Sequence, residues 1–132
     1  MPKVIPPSID KDDAFFWEGV KNGKLLLRSC AKCGQITHPP VPMCGECHSV
    51  EWSVHESSGR GTIHSWVASR HPNDREGEQR IVILVDLEEG VRFVSNLLDT
   101  PLDEVRNEAA VQVTYREIDG VLLPQFVRAG AR

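Results

Sequence analysis

Cys30-Ala31-Lys32-Cys33-Gly34 and Cys44-Gly45-Glu46-Cys47-His48 are the two stretches that decide how this chain reads. Each contains a Cys-x-x-Cys pair, and ten residues separate the pairs. A tight turn can point both sulfurs of such a pair at one centre. Two such turns facing each other make a closed tetrahedral thiolate site, the geometry structural Zn²⁺ prefers, with Cys30, Cys33, Cys44 and Cys47 as ligands. Gly34 stands where a turn that folds its N–H groups toward sulfur needs positive φ, and His48 holds the matching place after the second pair. Lys32 and nearby backbone N–H groups are expected to offset the charge of four thiolates. Disulfides, a redox pair and four buried thiols are the competing readings. Nothing points to an oxidising compartment, and a thioredoxin-like motif needs one pair beside a βαβ pattern that is absent. Iron in a rubredoxin-like site takes the same ligands, so zinc is the expectation and iron the alternative. His38 and His48 lie close by with no required role.

Outward from the quartet, Lys24-Leu25-Leu26-Leu27-Arg28-Ser29 reads as a strand entering the first turn. Pro39, Pro40 and Pro42 exclude a helix between the turns. Val50, Trp52 and Val54 alternate with Glu51, Ser53 and His55, the pattern of a half-buried strand leaving the site. Strand, turn, turn, strand outlines a zinc ribbon. Before it, an extended Pro-rich arm precedes a helix from about Asp10 to Lys21. Ser8 or Asp10 can cap it, Asp12 and Asp13 sit in its first turn, and Asn22-Gly23 stops it. Phe15, Phe16 and Trp17 cannot all face one small core, so they either dock the helix or leave one or two rings for a partner or ligand.

Beyond Gly59-Arg60-Gly61 the pattern is all-β. Residues 62–69 alternate, with Ile63 and Val67 on one face and His64 and Trp66 on the other. A polar loop runs from Arg70 to Gln79. Ile81-Val82-Ile83-Leu84-Val85 reads as a strand buried on both faces. Glu88-Glu89-Gly90 turns it into a second run ending at Leu97. Residues 101–106 permit a short helix, and Val111, Val113 and Tyr115 mark a fourth strand. Asp119-Gly120 then makes a hairpin into a fifth, residues 121–127. Five strands with a short helix between the third and fourth is the order of an OB-fold barrel, and an open five-stranded sheet is the alternative. The expected organisation is an N-terminal arm and helix (1–23), a zinc ribbon (24–58) and an OB-fold (59–132), mainly β overall.

A chain of 132 residues fits one domain or two very small ones. No apolar stretch reaches the length of a signal-peptide core or a membrane span, so the expected setting is cytoplasmic, without a membrane. The formal net charge of −4 argues against a protein whose main task is gripping phosphate backbones. From Gly59 onward nine arginines face twelve acidic residues, a poor match to the cationic aromatic platform of a single-strand binder. Nucleic-acid binding is therefore the alternative function, and electron transfer through an iron site leaves the barrel unexplained. There is no Gly-x-Ser-x-Gly elbow, no Gly-rich phosphate loop, no thiol outside the quartet and no His spacing that defines a second site.

Several runs resemble one bacterial and archaeal family. They are Phe16-Trp17-Glu18-Gly19, Gly23-Lys24-Leu25, Cys30-x-x-Cys33-Gly34, Pro39-Pro40 and Cys44-x-x-Cys47. Gly59-Arg60-Gly61-Thr62-Ile63, residues 82–93 and Gly120-Val121-Leu122-Leu123-Pro124-Gln125-Phe126 continue the likeness over nearly the whole chain. The family is that of the acyl-CoA-associated zinc-ribbon/OB-fold proteins, long known as a domain of unknown function. The resemblance implies a non-catalytic accessory subunit of thiolase-fold enzymes: thiolases, acyl-CoA synthases or steroid side-chain retro-aldolases. Relatives also join hot-dog-fold hydratases. Such a subunit helps hold acyl-CoA and shape the channel, while the catalytic residues belong to the partner. Two chains around a partner dimer is the natural symmetric assembly. Where relatives often carry Gly before the fourth strand, this chain has Arg106-Asn107-Glu108-Ala109, which leaves that turn open. Coenzyme A needs cations for its phosphates and an apolar surface for adenine. Trp17, Lys24, Arg28, Arg60, Trp66 and Arg75 are the candidate contacts, between the ribbon and the barrel entrance. The Arg70 to Gln79 loop serves equally well as a partner contact.

Overall fold

The computed structural model describes residues 13–70, 79–118 and 120–129. One helix, α1 (Ala14–Lys21), leads into β1 (Leu26–Cys30), β2 (Ile36–Thr37) and β3 (Trp52–Glu56). These strands form an antiparallel sheet in the order β2-β1-β3, which carries the two cysteine turns at one end. β4 (Arg60–Ser69), β5 (Arg80–Leu87), β6 (Arg92–Leu97), β7 (Ala110–Ile118) and β8 (Val121–Arg128) follow. They close a barrel in the order β4-β5-β6-β8-β7, with a single 3₁₀ turn, Leu102–Glu104, between β6 and β7. That is the strand order and helix placement of the expected OB-fold, and the open-sheet alternative falls.

The helix begins one turn later than its pattern suggested. Asp13 occupies the N-cap position without a side-chain cap bond, so it is not a first-turn residue. The caps proposed at Ser8 and Asp10, and Asp12, lie outside the described residues. Asn22 and Gly23 end the helix by donating backbone bonds to Gly19 and Val20. Phe16 and Val20, one turn apart, are both buried against the barrel core. Leu25 and Leu27 join the same cluster, with Ile63, Ile83, Val85, Phe93 and Phe126 from the barrel. Helix, ribbon and barrel therefore share one continuous apolar core.

Three expectations about faces need correction. Val50 and Val54 are exposed and Trp52 is only partly covered, so β3 is not half-buried on an apolar face. Trp52 instead sends its indole N–H to the Pro42 carbonyl at 3.1 Å. In β4, Ile63 pairs with Val85 but Ser65 with Leu84, so His64 is an extra residue in a β-bulge. The bulge resets the alternation. Ile63 and Trp66 both turn toward the core and Val67 is left 59% exposed, where simple alternation paired Ile63 with Val67. In β5 only alternate residues, Ile81, Ile83, Val85 and Leu87, are fully buried, so this strand has one core face and one partly covered face.

The join between ribbon and barrel is held by the β5–β6 turn. Glu89 accepts the Ser57 hydroxyl at 2.7 Å and the Ser58 N–H at 2.9 Å, while Glu88 accepts the Ser58 hydroxyl at 2.7 Å. The Ser58 hydroxyl, aided by Arg60, keeps the Glu88 carboxyl below the usual range. Directly after this link the backbone of Gly61 lies so close to β5 that a Cβ there would sit 2.3 Å from the Asp86 carbonyl oxygen. Only glycine permits that approach.

Candidate metal centre and an adjacent cleft

Each cysteine turn is built by the same bonds. Cys30 N–H donates to the Gln35 carbonyl and Gly34 N–H to the Cys30 carbonyl, both at 2.9 Å. Cys44 N–H donates to Ser49 and His48 N–H to Cys44, again at 2.9 Å. Gly34 has φ +80° and His48 φ +63°, the left-handed conformations their positions required. This geometry aims backbone N–H groups of residues 32 and 33 at the Cys30 sulfur, and those of 46 and 47 at Cys44. The backbone thus supplies the charge compensation, while Lys32 lies 3.7 Å from the Glu51 carboxylate.

All four sulfurs lie within 4.8 Å of one another, with Cys30 and Cys47 at 3.5 Å and Cys33 and Cys44 at 3.6 Å. A tetrahedron of sulfurs about 2.3 Å from a central zinc has edges of about 3.8 Å, so the set fits a metal ion without rearrangement. A disulfide needs about 2.05 Å and is excluded at these separations. The Cys33 N–H, then other bonds, pull the Cys30 thiol down to about 6. In Cys33, the lowering bond from Gln35 is outweighed by burial and the neighbouring sulfurs, which push it up to about 12. Four thiolates crowd one another, which is the electrostatic condition a divalent cation relieves. Cys30 and Cys44 are buried and Cys33 and Cys47 exposed, so the site sits at the ribbon's edge.

The three consecutive aromatics diverge. Phe15 faces the ribbon, where the Arg28 guanidinium lies 5.1 Å from its ring centre and 5.1 Å from that of Trp52. Phe16 enters the core and stacks on Phe93 at 5.8 Å. Trp17 packs edge-on against Phe16 and lines a cleft of about 370 Å³ between α1, residues 38–40 and the β6–β8 side of the barrel. His38 stacks on Phe93 at 4.8 Å in the wall of this cleft, and burial holds its pKa below the ordinary imidazole value.

Pro124 lies in the wall of this cleft. The Ser95 hydroxyl donates to the Pro124 carbonyl at 2.8 Å, so that residue's backbone polar groups face β6, and proline has no N–H to offer. β6 and β8 pair in register only at Leu97 and Phe126. Gln125, 5% exposed, lies in the cleft wall, and its Oε1 has no hydrogen-bond partner. An unsatisfied buried acceptor costs about 1–3 kcal/mol.

The candidate coenzyme A contacts do not gather at one place. Trp17 lines the cleft just described, whereas Lys24 lines a separate one with Phe15, Val54 and Glu56. Arg28 is held between two rings and donates to the Val41 carbonyl at 3.0 Å. Arg60 lies 3.5 Å from Glu88 at the ribbon–barrel join, and Trp66 packs on the barrel core. Arg75 lies outside the described residues. Sequence reasoning passed over His38, Ser95 and Gln125. The available signal was a Pro-Gln pair interrupting the apolar run Leu122-Leu123-Pro124-Gln125-Phe126.

Residues 17–53 match the family description "ChsH2, rubredoxin-like zinc ribbon domain", and residues 54–116 match "ChsH2, C-terminal OB-fold domain". The chain is 36% identical over 129 residues to a "Probable enoyl-CoA hydratase alpha subunit" of Thermomonospora curvata, covering 95% of this chain and 40% of that protein. Against the "3-oxo-4,17-pregnadiene-20-carboxyl-CoA hydratase alpha subunit" of Mycobacterium tuberculosis it is 40% identical over 113 residues, 85% of this chain and 36% of that one. The chain thus spans about two fifths of these relatives. Among solved structures, a chain of the "Ltp2-ChsH2(DUF35) aldolase" superposes with a TM-score of 0.87 at 34% identity, covering 94% of this chain and 99% of that one.

Proposed function

The chain belongs to the ChsH2-type DUF35 family, a rubredoxin-like zinc ribbon followed by an OB-fold, and from that premise we propose that it is a non-catalytic subunit that binds acyl-CoA jointly with a partner enzyme. The partner is a thiolase-fold enzyme of the aldolase or thiolase kind, with a hot-dog-fold hydratase as the second possibility. The complex handles a steroid or other lipid acyl group in the cytoplasm, two copies of this chain flanking a partner dimer. Cys30, Cys33, Cys44 and Cys47 hold one structural Zn²⁺, which keeps the ribbon folded and performs no chemistry on the substrate. The ribbon (24–58) and OB-fold (59–132) together complete the partner's channel.

The likeness to an aldolase subunit over 99% of that subunit's length is the observation that carries this reading. The chemistry agrees. The described residues hold no thiol outside the quartet, and the cleft beside Trp17 is of a size that suits part of a small-molecule ligand. The test is co-purification of a tagged copy expressed in its own host. A stoichiometric thiolase-fold or hydratase partner is expected, and that partner's substrate then names the reaction. Recovery of nucleic acid or a ribosomal protein instead would transfer the chain to the nucleic-acid reading.

A further inference from the structure

Within each cysteine turn the two ligands differ in burial. The first is buried, Cys30 at 2% and Cys44 at 0% exposure, and the second, Cys33 or Cys47, is exposed. Across the site each exposed cysteine meets the buried one of the opposite turn. Cys47 lies 3.5 Å from Cys30 and Cys33 lies 3.6 Å from Cys44, sulfur to sulfur. Cys33 also borders an open cleft of about 310 Å³, shared with Gly34, Gln35 and, from the β5–β6 turn, Glu89 and Gly90. Oxidation of a cysteine follows its thiolate character and exposure, and a sulfenic acid with a thiolate beside it condenses to a disulfide. Each exposed cysteine here has that second sulfur in the other turn, not only in its own.

The geometry points to a redox-reversible staple: on oxidation by a peroxide the ribbon exchanges its metal closure for two disulfides that cross between the turns, Cys33–Cys44 and Cys30–Cys47, and keeps its fold. The Cys33 thiolate attacks one peroxide oxygen, the O–O bond breaks, and a sulfenic acid and hydroxide result. The Cys44 thiolate then attacks the Cys33 sulfur, forming the S–S bond and expelling a second hydroxide. Two thiolates give up the two electrons that the peroxide takes. Cys47 and Cys30 react in the same way with a second peroxide. Each pair has to close by about 1.5 Å to reach bonding distance. No thiolate is then left to hold Zn²⁺, yet both bridges join the same two turns that the metal joins. Bridges within each turn would leave the turns free of one another, and Leu25 and Leu27 of the shared core would lose that constraint. The exchange goes beyond the subunit reading and needs neither a partner enzyme nor acyl-CoA.

The test treats the full zinc-loaded chain with hydrogen peroxide, which catalase then removes. Zinc release is followed with a chromogenic chelator, and the bridges are mapped by mass spectrometry. Trypsin and a Glu-specific protease cut after Arg28, Lys32, Glu46 and Glu51, so Cys30 and Cys47 fall on short peptides of their own while Cys33 shares one with Cys44. The expected products are 29–32 joined to 47–51, and 33–46 closed on itself and two hydrogens lighter than its reduced form. Bridges within the turns tie all three peptides together, and finding that product overturns the inference. The oxidised, metal-free chain should melt about 5 °C or more above the reduced chain stripped by a chelator. Dithiothreitol followed by zinc should restore both the metal content and the Tm of the untreated chain. An oxidised chain that melts no higher than the stripped one refutes the staple. Zinc retained under peroxide, or sulfinic acids in place of bridges, refutes it equally.

Discussion

Cys44 has no exposed surface, and its sulfur receives N–H groups from residues 46 and 47. Cys44→Ser should reduce bound zinc from about one per chain to near zero, measured by atomic emission, because structural sites need the full ligand set. His38 offers a second test at this scale. Burial lowers its folded pKa, so the unfolded chain takes up a proton first as pH falls through the ordinary value of 6.5. Its contribution is therefore intact above that pH and is lost progressively below it. His38→Phe keeps the stack on Phe93 and should flatten the fall in Tm between pH 7.5 and 5.5 by roughly 2 °C. An unchanged slope would mean the imidazole is not the group titrating. Arg28, expected from its charge to meet a phosphate, has two rings and the Val41 carbonyl around its guanidinium.

At the scale of elements, turns carry the tests. Before the fourth barrel strand, Glu108 adopts φ +69° and its N–H bonds to the Ile63 carbonyl at 2.7 Å. The turn survives with a strained residue in it. Glu108→Gly should raise stability by about 0.5–1 kcal/mol in urea unfolding, the left-handed cost less glycine's added chain entropy. Glu89 anchors the linker between ribbon and barrel with two short bonds and a carboxylate that is 10% exposed. Glu89→Ala should cost about 2 kcal/mol by the same measurement. Apart from the two-residue β2, which the reading of the ribbon as strand, turn, turn, strand left out, element types and order were legible because apolar periodicity and turn residues are local signals. Faces were less legible. One extra residue at His64 reverses the alternation of β4, and nothing in the residues 60–69 alone announces it.

For the whole molecule, one core joins Phe16, Val20, Leu25 and Leu27 to the barrel, so loss of a metal from the ribbon is expected to be felt by the whole fold. Removing zinc with a chelator should lower the midpoint of one cooperative transition by about 10 °C or more, followed by calorimetry. A barrel that melts at an unchanged temperature after the ribbon is lost would refute that coupling. The sequence by itself determined the cysteine turns, the positive φ at Gly34 and His48, the number and order of barrel strands, and the family likeness. Each of these is encoded in spacing over a few neighbouring residues or in periodicity along one element. Tertiary structure alone decided the divergence of Phe15, Phe16 and Trp17, the anchoring of Arg28, and the cleft. That cleft draws on Asp13, Phe16 and Trp17 together with residues 38–40, 93–96 and 123–125, segments that meet only in the folded chain. A site made of contacts between distant segments has no local period, so it becomes readable only once the chain has closed on itself.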